Sequence, residues 1–355
     1  MRKMIWIAVV SVMLFACSEG KDDLSFLEGG QVFELTAIIK PTKGALARSR
    51  SSYSREAMQE VERVSIYVFQ KNATDCVYLK TYNRPGWTED NAFMRFTVPD
   101  NDKLAAGDYE FLVVGRKAID HYALPTPVAG RTKIGDMTAS VTAPGNESEI
   151  FAGLQAATVT SEGVRVSMEM TRKVAGVMGY FKNVPAILNH TPVKYLRLIV
   201  SSAGTKVELA NSNGIDPVGT AYSIIDEDLS GQAVTAEGVY CGNDLTARGI
   251  VKLANSQLFG KFLLPVGSVT MTLGLYDADN NPLKTWTVVD GASSTLNLTA
   301  DRVYSLGRKI CPNDTTGGYI REFGEDDFAV DLLKEQVITL ATDSNWNTLH
   351  YLVIQ

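Results

Sequence analysis

The chain has 355 residues, of which 45% are apolar and 21% are charged, and its formal net charge is -6. This balance is typical of a globular protein and excludes a disordered chain. The small negative charge gives no support for nucleic-acid binding, which depends on concentrated positive charge. About 338 residues remain beyond the first 17, a length that predicts two domains with separate cores.

The first 17 residues have the layout of a secretory signal. Arg2 and Lys3 precede an apolar run over residues 4–15, and Ala16 stands before Cys17. Such a run is too short to span a bilayer as a helix. The ending LFAC is similar to the lipobox of bacterial lipoproteins, in which the cysteine is lipidated and becomes the mature N-terminus. An ordinary cleaved signal is the alternative. We expect an exported protein that acyl chains on Cys17 hold on a membrane.

The rest of the chain has the pattern of many short strands joined by turns. Turn signals fall at residues 106–108, 144–146 and 277–282, and helical periodicity is weak and confined to residues 55–63 and 246–253. This spacing without long helices predicts an all-β fold of sandwiches rather than a parallel α/β sheet. The alternating or β-branched runs are residues 32–40, 61–70, 93–98, 109–115, 163–170, 174–182, 193–201, 249–253, 259–265, 269–277, 283–289 and 303–310.

Several segments, taken in order, resemble the fimbrillin superfamily of Bacteroidetes, the subunits of protease-assembled (type V) pili. A polar acidic stretch, SEGKDD, follows Cys17, and the strand VFELTAIIK precedes the arginine-containing loop PTKGALARSRSSYSR. VERVSIYVFQ then looks like the first core strand of the family. The other matching segments are residues 103–115, 148–159, 172–185, 301–310 and 337–355. The resemblance implies two tandem transthyretin-like β-sandwich domains, over residues 24–171 and 172–355, with the border near Arg172.

The same resemblance implies assembly by donor-strand exchange. In polymerising subunits of this family, an Arg-specific protease cuts a loop behind the first strand, and the lipidated strand leaves a groove that a neighbour fills. Residues 32–40 have the composition of such a strand, and Arg48 and Arg50 are the expected cut sites in an accessible loop of small and polar residues. A solvated basic loop that is never cut is the alternative, and the protein would then keep its lipid and act as a basal anchor.

Two apolar runs near the end of the chain, residues 337–342 and 349–354, are the expected donor strands. An apolar strand at a chain end either pairs within its own sheet or is offered to a neighbour. In the first case both strands complete the second domain, which would suit a tip subunit.

Catalytic and metal-binding patterns are weak. No nucleophile elbow, phosphate loop or dinucleotide fingerprint occurs, and we expect neither an enzyme nor a bound cofactor or metal. Residues 277–282 have part of a calcium-loop pattern but fit a hairpin turn better. Cys241 and Cys311 are a possible disulfide pair, and separate buried thiols, Cys76 among them, are the alternative. The dispersed histidines are His121, His190 and His350.

The sequence therefore predicts a structural subunit of a fimbria at the outer membrane surface, with a role in adhesion or biofilm formation. Its expected partners are other fimbrial subunits, the membrane through its lipid, and a host or bacterial surface ligand. The alternative is a glycan-binding surface lipoprotein, for which Trp87, in a loop containing proline and glycine, is the candidate stacking residue. Trp286 is expected in a core.

Overall fold

The computed structural model describes residues 31–39, 61–72, 75–88, 90–218, 220–241, 246–253, 257–307, 329–334 and 338–343. Within these ranges the regular structure is β-strand apart from two 3₁₀ turns, at Asp100–Asp102 and Ile134–Asp136. No helix there has the length and hydrophobicity that a membrane crossing requires. The prediction of an all-β fold is confirmed.

The first part of the chain forms a seven-stranded sheet in the order β3-β2-β5-β8-β9-β1-β4. The strands of this part are β1 (Gln31–Ile39), β2 (Arg63–Lys71), β3 (Cys76–Pro85), β4 (Phe93–Val98), β5 (Gly107–Arg116), β6 (Tyr122–Ala123), β7 (Thr138–Val141), β8 (Ile150–Val159) and β9 (Gly163–Arg172). The Tyr82 ring on β3 lies 5.6 Å from the Phe33 ring on β1 and 4.8 Å from the Phe96 ring on β4. Because β3 and β4 are the two ends of the strand order, these contacts show that the sheet folds over on itself as a sandwich.

The second part is built around a sheet in which β16-β13-β21-β22-β26-β24-β10-β19 lie side by side and β25 also pairs with β10. Smaller sheets have the orders β12-β11-β18-β17 and β20-β23. The strands are β10 (Gly176–Lys182), β11 (Val184–Leu188), β12 (Thr191–Pro192), β13 (Tyr195–Val200), β14 (Ala203–Glu208), β15 (Gly214–Val218), β16 (Tyr222–Asp228), β17 (Val234–Cys241), β18 (Thr246–Val251), β19 (Gln257–Phe259), β20 (Val266–Val269), β21 (Met271–Tyr276), β22 (Pro282–Val289), β23 (Leu296–Leu298), β24 (Val303–Leu306), β25 (Val330–Asp331) and β26 (Ile338–Asp343).

The described residues contain three clusters of buried apolar side chains. One draws on residues 33–170 and includes Phe33 and Trp87, and a second draws on residues 175–332 and includes Trp286. The third takes side chains from both parts, among them Phe69 and Leu264. Burial of Trp286 confirms its predicted place in a core.

A four-stranded sheet, β15-β14-β7-β6, is shared by the two parts of the chain. Ala139 of β7 pairs with Val207 of β14, so strands from before and after Arg172 are hydrogen-bonded to each other. The two parts are thus joined by a continuous backbone ladder as well as by the third apolar cluster. A division into two domains at Arg172 stays a prediction.

Two local predictions differ from the structure. The helix that weak periodicity suggests for residues 246–253 is wrong. Strand β18 occupies Thr246–Val251, with alternate side chains buried, among them Ala247 and Val251. The strand expected over residues 259–265 ends at Phe259, and beyond it Leu263 and Leu264 make only isolated bridges. A buried strand and a buried irregular segment have the same apolar composition, so composition alone did not separate them.

Candidate functional site

The first strand, β1, lies inside its sheet with a hydrogen-bonded neighbour on each side. It runs parallel to β9, where residues 32–39 face residues 163–170, and antiparallel to β4, where residues 31–36 face residues 93–98. This is the strand that the sequence predicts as removable, and the structure gives its end as Ile39. We call the space that β1 fills between β9 and β4 the β1 groove.

The inner face of β1 is apolar and buried. Phe33, Leu35 and Ala37 are almost fully excluded from solvent, as their alternation in the sequence predicts. Phe33 contacts the rings of Tyr82 and Phe96. Full burial of a Phe and a Leu side chain contributes roughly 3–6 kcal/mol, so β1 is held largely by the hydrophobic effect.

Polar groups fix the position of β1 along the groove. The buried Gln31 side chain donates to the carbonyl oxygens of Leu104 (3.0 Å) and Thr160 (2.8 Å), and its Oε1 accepts from the Leu104 N–H (2.9 Å). Near the other end, the Trp87 indole N–H donates to the Ala37 carbonyl at 3.0 Å. A shift of one residue would break these bonds and also turn the apolar face outward.

Trp87 is 3% exposed, so its ring packs on its own sandwich. Because the ring is buried beside β1, Trp87 is not the exposed stacking residue that the glycan-binding alternative requires. The structure supports the core alternative for this residue, and Trp87 becomes part of the site of β1 instead.

Glu34, on the outer face of β1, is the middle member of a row of three charged side chains that crosses three adjacent strands. Glu34 pairs directly with Arg165 on β9 and with Arg95 on β4. Its carboxylate lies 2.5 Å from Arg165 Nε and 3.4 Å from Arg95 Nε. The Glu34 side chain is 8% exposed, whereas those of Arg95 and Arg165 are 52% and 74% exposed. A shielded carboxylate on β1 is therefore held between two cations that belong to its neighbours.

Gly163 permits the close approach of β9 to β1. It has φ +134°, a conformation that L side chains rarely adopt, and a Cβ at this position would lie 1.7 Å from the Val32 carbonyl oxygen. Sequence reasoning missed this role. The available signal was a glycine at the start of a predicted strand, directly after Ser161 and Glu162.

The last described strand, β26, covers most of the first predicted donor run. Its backbone pairs in parallel with β22 at Ile338 and Thr339 and antiparallel with β24 over residues 340–343. This stretch is used within its own sheet, which was one of the two alternatives for it. Cys17, Arg48, Arg50 and residues 349–354 lie outside the described residues, as do Cys311 and His350.

The border near Arg172 holds a buried ion pair. Arg172 Nε donates to Glu149 Oε1 at 2.7 Å, and both side chains are at most 2% exposed. Burial raises the pKa of Glu149, and Arg172 opposes that shift. The adjacent Lys173 Nζ donates to Ser212 Oγ at 2.7 Å, and burial lowers the pKa of Lys173 to about 8. Since Ser212 follows β14, this bond joins the two parts of the chain.

The remaining candidates are local structure. The Asp277 carboxylate accepts hydrogen bonds from the Asn281 side-chain amide and from the backbone N–H groups of Asn281 and Asp279, which closes a turn as predicted and lowers the pKa of Asp277. Cys76 and Cys241 are free thiols. Among the described residues no group of three or more His, Cys, Asp or Glu side chains could hold a metal ion.

These features define an all-β protein of packed sheets whose strand β1 is enclosed between two neighbours. The model of the family described as fimbrillin-A associated anchor proteins Mfa1 and Mfa2 matches residues 42–300. This is well over half of the chain, and the protein belongs to that family. The predicted resemblance to fimbrillins is thereby confirmed, and the family is one of structural fimbrial proteins rather than enzymes.

Solved structures of two fimbrial proteins from Porphyromonas gingivalis are similar to this chain. The fimbrial anchor protein Mfa2 is 12% identical, with 81% of this chain and 94% of that chain covered and a TM-score of 0.45. The tip fimbrial protein Mfa3, with a C-terminal truncation, is 11% identical, with 78% and 94% covered and a TM-score of 0.38. No curated protein matches the sequence.

Proposed function

We propose that this protein is a structural subunit of a cell-surface fimbria, exported as a lipoprotein with acyl chains on Cys17 and joined to a neighbouring subunit by β-strand exchange. Membership of a fimbrial anchor family supports the structural role. The observation that carries the exchange mechanism is the enclosed position of β1, which pairs on both sides and buries its inner face.

Removal of β1 would expose both unpaired backbone groups and apolar side chains. Backbone N–H and C=O groups of β9 and β4 would lose their partners, and the apolar floor around Tyr82 and Phe96 would meet water. A strand from another chain restores both the ladder and the burial, which is the basis of recognition by β-augmentation. The β1 groove is thus suited to accept a strand.

The chain acts as an acceptor in this proposal. Residues 338–339 pair with β22 and residues 340–343 pair with β24, so each residue of this stretch already has a backbone partner in its own sheet. Whether the loop at Arg48 and Arg50 is cut determines the position of the subunit in the fimbria. With the loop intact, β1 and the lipid stay attached and the protein is a basal anchor. With the loop cut, the groove opens to a neighbour.

The test uses the full chain with Cys17→Ser, which prevents lipidation. The protein is treated with an Arg-specific protease and mixed with a labelled peptide of the β1 sequence, QVFELTAII. We expect a cut after Arg48 or Arg50 and incorporation of the peptide into a complex that survives gel filtration.

The matched control is the Arg48→Lys/Arg50→Lys/Arg55→Lys variant, which keeps the charge of the loop but removes its three arginines. It should neither be cut there nor take up peptide. A protein that is cut and stays folded, yet never exchanges β1, would contradict the strand-exchange mechanism. The lipid is tested separately by metabolic labelling with palmitate, where the wild type should be labelled and Cys17→Ser should not.

A further inference from the structure

We propose that the β1 groove selects a strand with an acidic side chain at the position of Glu34, so that its partner is a different subunit and not a second copy of this chain. The inference rests on the proposed strand exchange and adds the chemistry of the partner. It comes from the row Arg165–Glu34–Arg95 across three adjacent strands.

The two arginines remain on the body of the protein when β1 leaves. Arg165 belongs to β9 and Arg95 to β4, and both lie directly opposite Glu34 in the ladder. Strand spacing places the two backbones about 10 Å apart across the vacated position. Their two positive charges then face the same position without the shared carboxylate, so a strand that brings a carboxylate there is favoured and a strand that brings a cation is repelled.

The position along the groove matters as well as the sign of charge. One face of β9 presents Arg165 opposite Glu34 and, further along, Glu169 opposite Ile38. An acidic side chain placed at the Ile38 position would therefore meet a like charge. The groove distinguishes two strands of equal net charge by where the acid lies.

The inner face sets a second requirement. Positions equivalent to Phe33, Leu35 and Ala37 point into the core and must be apolar, with a small residue at the last. Together with the acid at the Glu34 position, this defines the partner strand: apolar residues at alternate positions, flanking a carboxylate on the other face.

The chain's own C-terminal runs do not meet this pattern. Residues 336–342, QVITLAT, align with residues 31–37, QVFELTA, and place Thr339 where β1 has Glu34. A register that brings Asp343 to that place would put Thr342 and Ser344 at the apolar inner positions. Residues 349–354, LHYLVI, contain no acidic residue. The C-terminal runs of a second copy of this chain therefore supply no matching strand.

The first experiment uses the intact chain. Glu34→Lys should lower the folding equilibrium constant by about 100-fold, because three cations then stand side by side in one row. Exchanging both arginines in the same chain (Arg95→Glu/Arg165→Glu with Glu34→Lys) should restore most of that loss. Equal destabilisation with and without the exchange would overturn the charge selection, whether or not the loop is ever cut.

The second experiment uses the cut protein and labelled nine-residue peptides. The β1 peptide with Glu34→Gln should bind about tenfold more weakly than the unchanged peptide. The matched control moves the acid (Glu34→Thr/Ile38→Glu) at constant net charge and should bind at least as weakly. The third comparison uses residues 336–344, where the peptide with Thr339→Glu should bind about tenfold more tightly than the natural sequence.

The outcomes separate the two proposals. If the unchanged β1 peptide does not bind the cut protein, strand exchange fails and this inference fails with it. If all the peptides bind equally well, strand exchange stands and the selection for an acidic partner strand is overturned. If the natural 336–344 peptide binds as tightly as the β1 peptide, a second copy of the chain can serve as partner and the inference is wrong.

Discussion

The first and last described strands, β1 and β26, are held by the same arrangement but to very different extents. Each lies between a parallel neighbour and an antiparallel one: β9 and β4 for β1, β22 and β24 for β26. Within the described residues, β1 pairs with β9 over residues 32–39, whereas β26 pairs with β22 at Ile338 and Thr339. β1 also has side-chain bonds at Gln31, Glu34 and the Ala37 carbonyl. The specificity of the β1 position thus comes from groups that its neighbours supply.

The largest expected effect comes from Gly163, which brings β9 close to β1. In Gly163→Ala the new Cβ would overlap the Val32 carbonyl oxygen, and the backbone would be strained at φ +134°. We expect a loss of about 5 kcal/mol in the free energy of unfolding, measured by urea denaturation with tryptophan fluorescence. Gly135→Ala is the control, since no atom lies within 4 Å of its Cβ. Equal stability of the two variants would show that β1 does not depend on this contact.

The next effect tests whether the parts that contain β1 and β26 unfold together. Arg172→Met removes the guanidinium group that donates to the buried Glu149 carboxylate at 2.7 Å. We expect a loss of about 3–4 kcal/mol, and the double variant Arg172→Met/Glu149→Leu should recover most of it. Scanning calorimetry should show one transition for the wild type and two for Arg172→Met. A single unchanged transition would contradict a coupling role for the ion pair.

A pH effect of about 2–3 kcal/mol is expected from Lys173 in the same region. Burial lowers its pKa to about 8 from the ordinary 10.5. Between these values the unfolded chain binds the proton more strongly, so this group makes the free energy of unfolding rise with pH from 8 to 10.5, and the gain is lost as pH falls through 8. The wild type should gain stability relative to Lys173→Met when both are measured by urea denaturation at pH 7.5 and 10.5. A constant difference between them would mean that Lys173 does not titrate in this window.

The smallest expected effect comes from Trp87, whose hydrogen bond is one of the side-chain contacts that hold β1 in place. Trp87→Phe removes the indole bond to the Ala37 carbonyl while keeping an aromatic ring in the core. We expect a loss of about 1–2 kcal/mol and faster hydrogen exchange of the β1 amides. Trp286→Phe, in the second core, is the matched control and should leave β1 exchange unchanged. Equal protection of β1 in both variants would remove Trp87 from the site.

The buried inner face of β1 was predictable from the sequence, because alternation along a strand is a local pattern. Phe33, Leu35 and Ala37 follow the two-residue period, and all three are buried. The charged row was not predictable, since Glu34 and Arg165 are 131 residues apart in the chain. For Trp87 the sequence leaves an exposed ring as one alternative, because its hydrogen-bond partner, Ala37, is 50 residues away. Contacts over such separations depend on which strands become neighbours, and no local pattern encodes that choice.

The sequence by itself determined the all-β class, the alternating inner face of β1, the core position of Trp286 and the resemblance to fimbrillins. These depend on periodicity, turn residues and the order of short motifs, all of which are readable along one stretch of chain. Only the tertiary structure decided that β1 lies between β9 and β4, that Gly163 must lack a side chain, and that β7 and β14 join the two parts in one sheet. The physical reason is that backbone hydrogen bonds between strands are made by groups present in every residue, so the partners are chosen by packing of the whole chain.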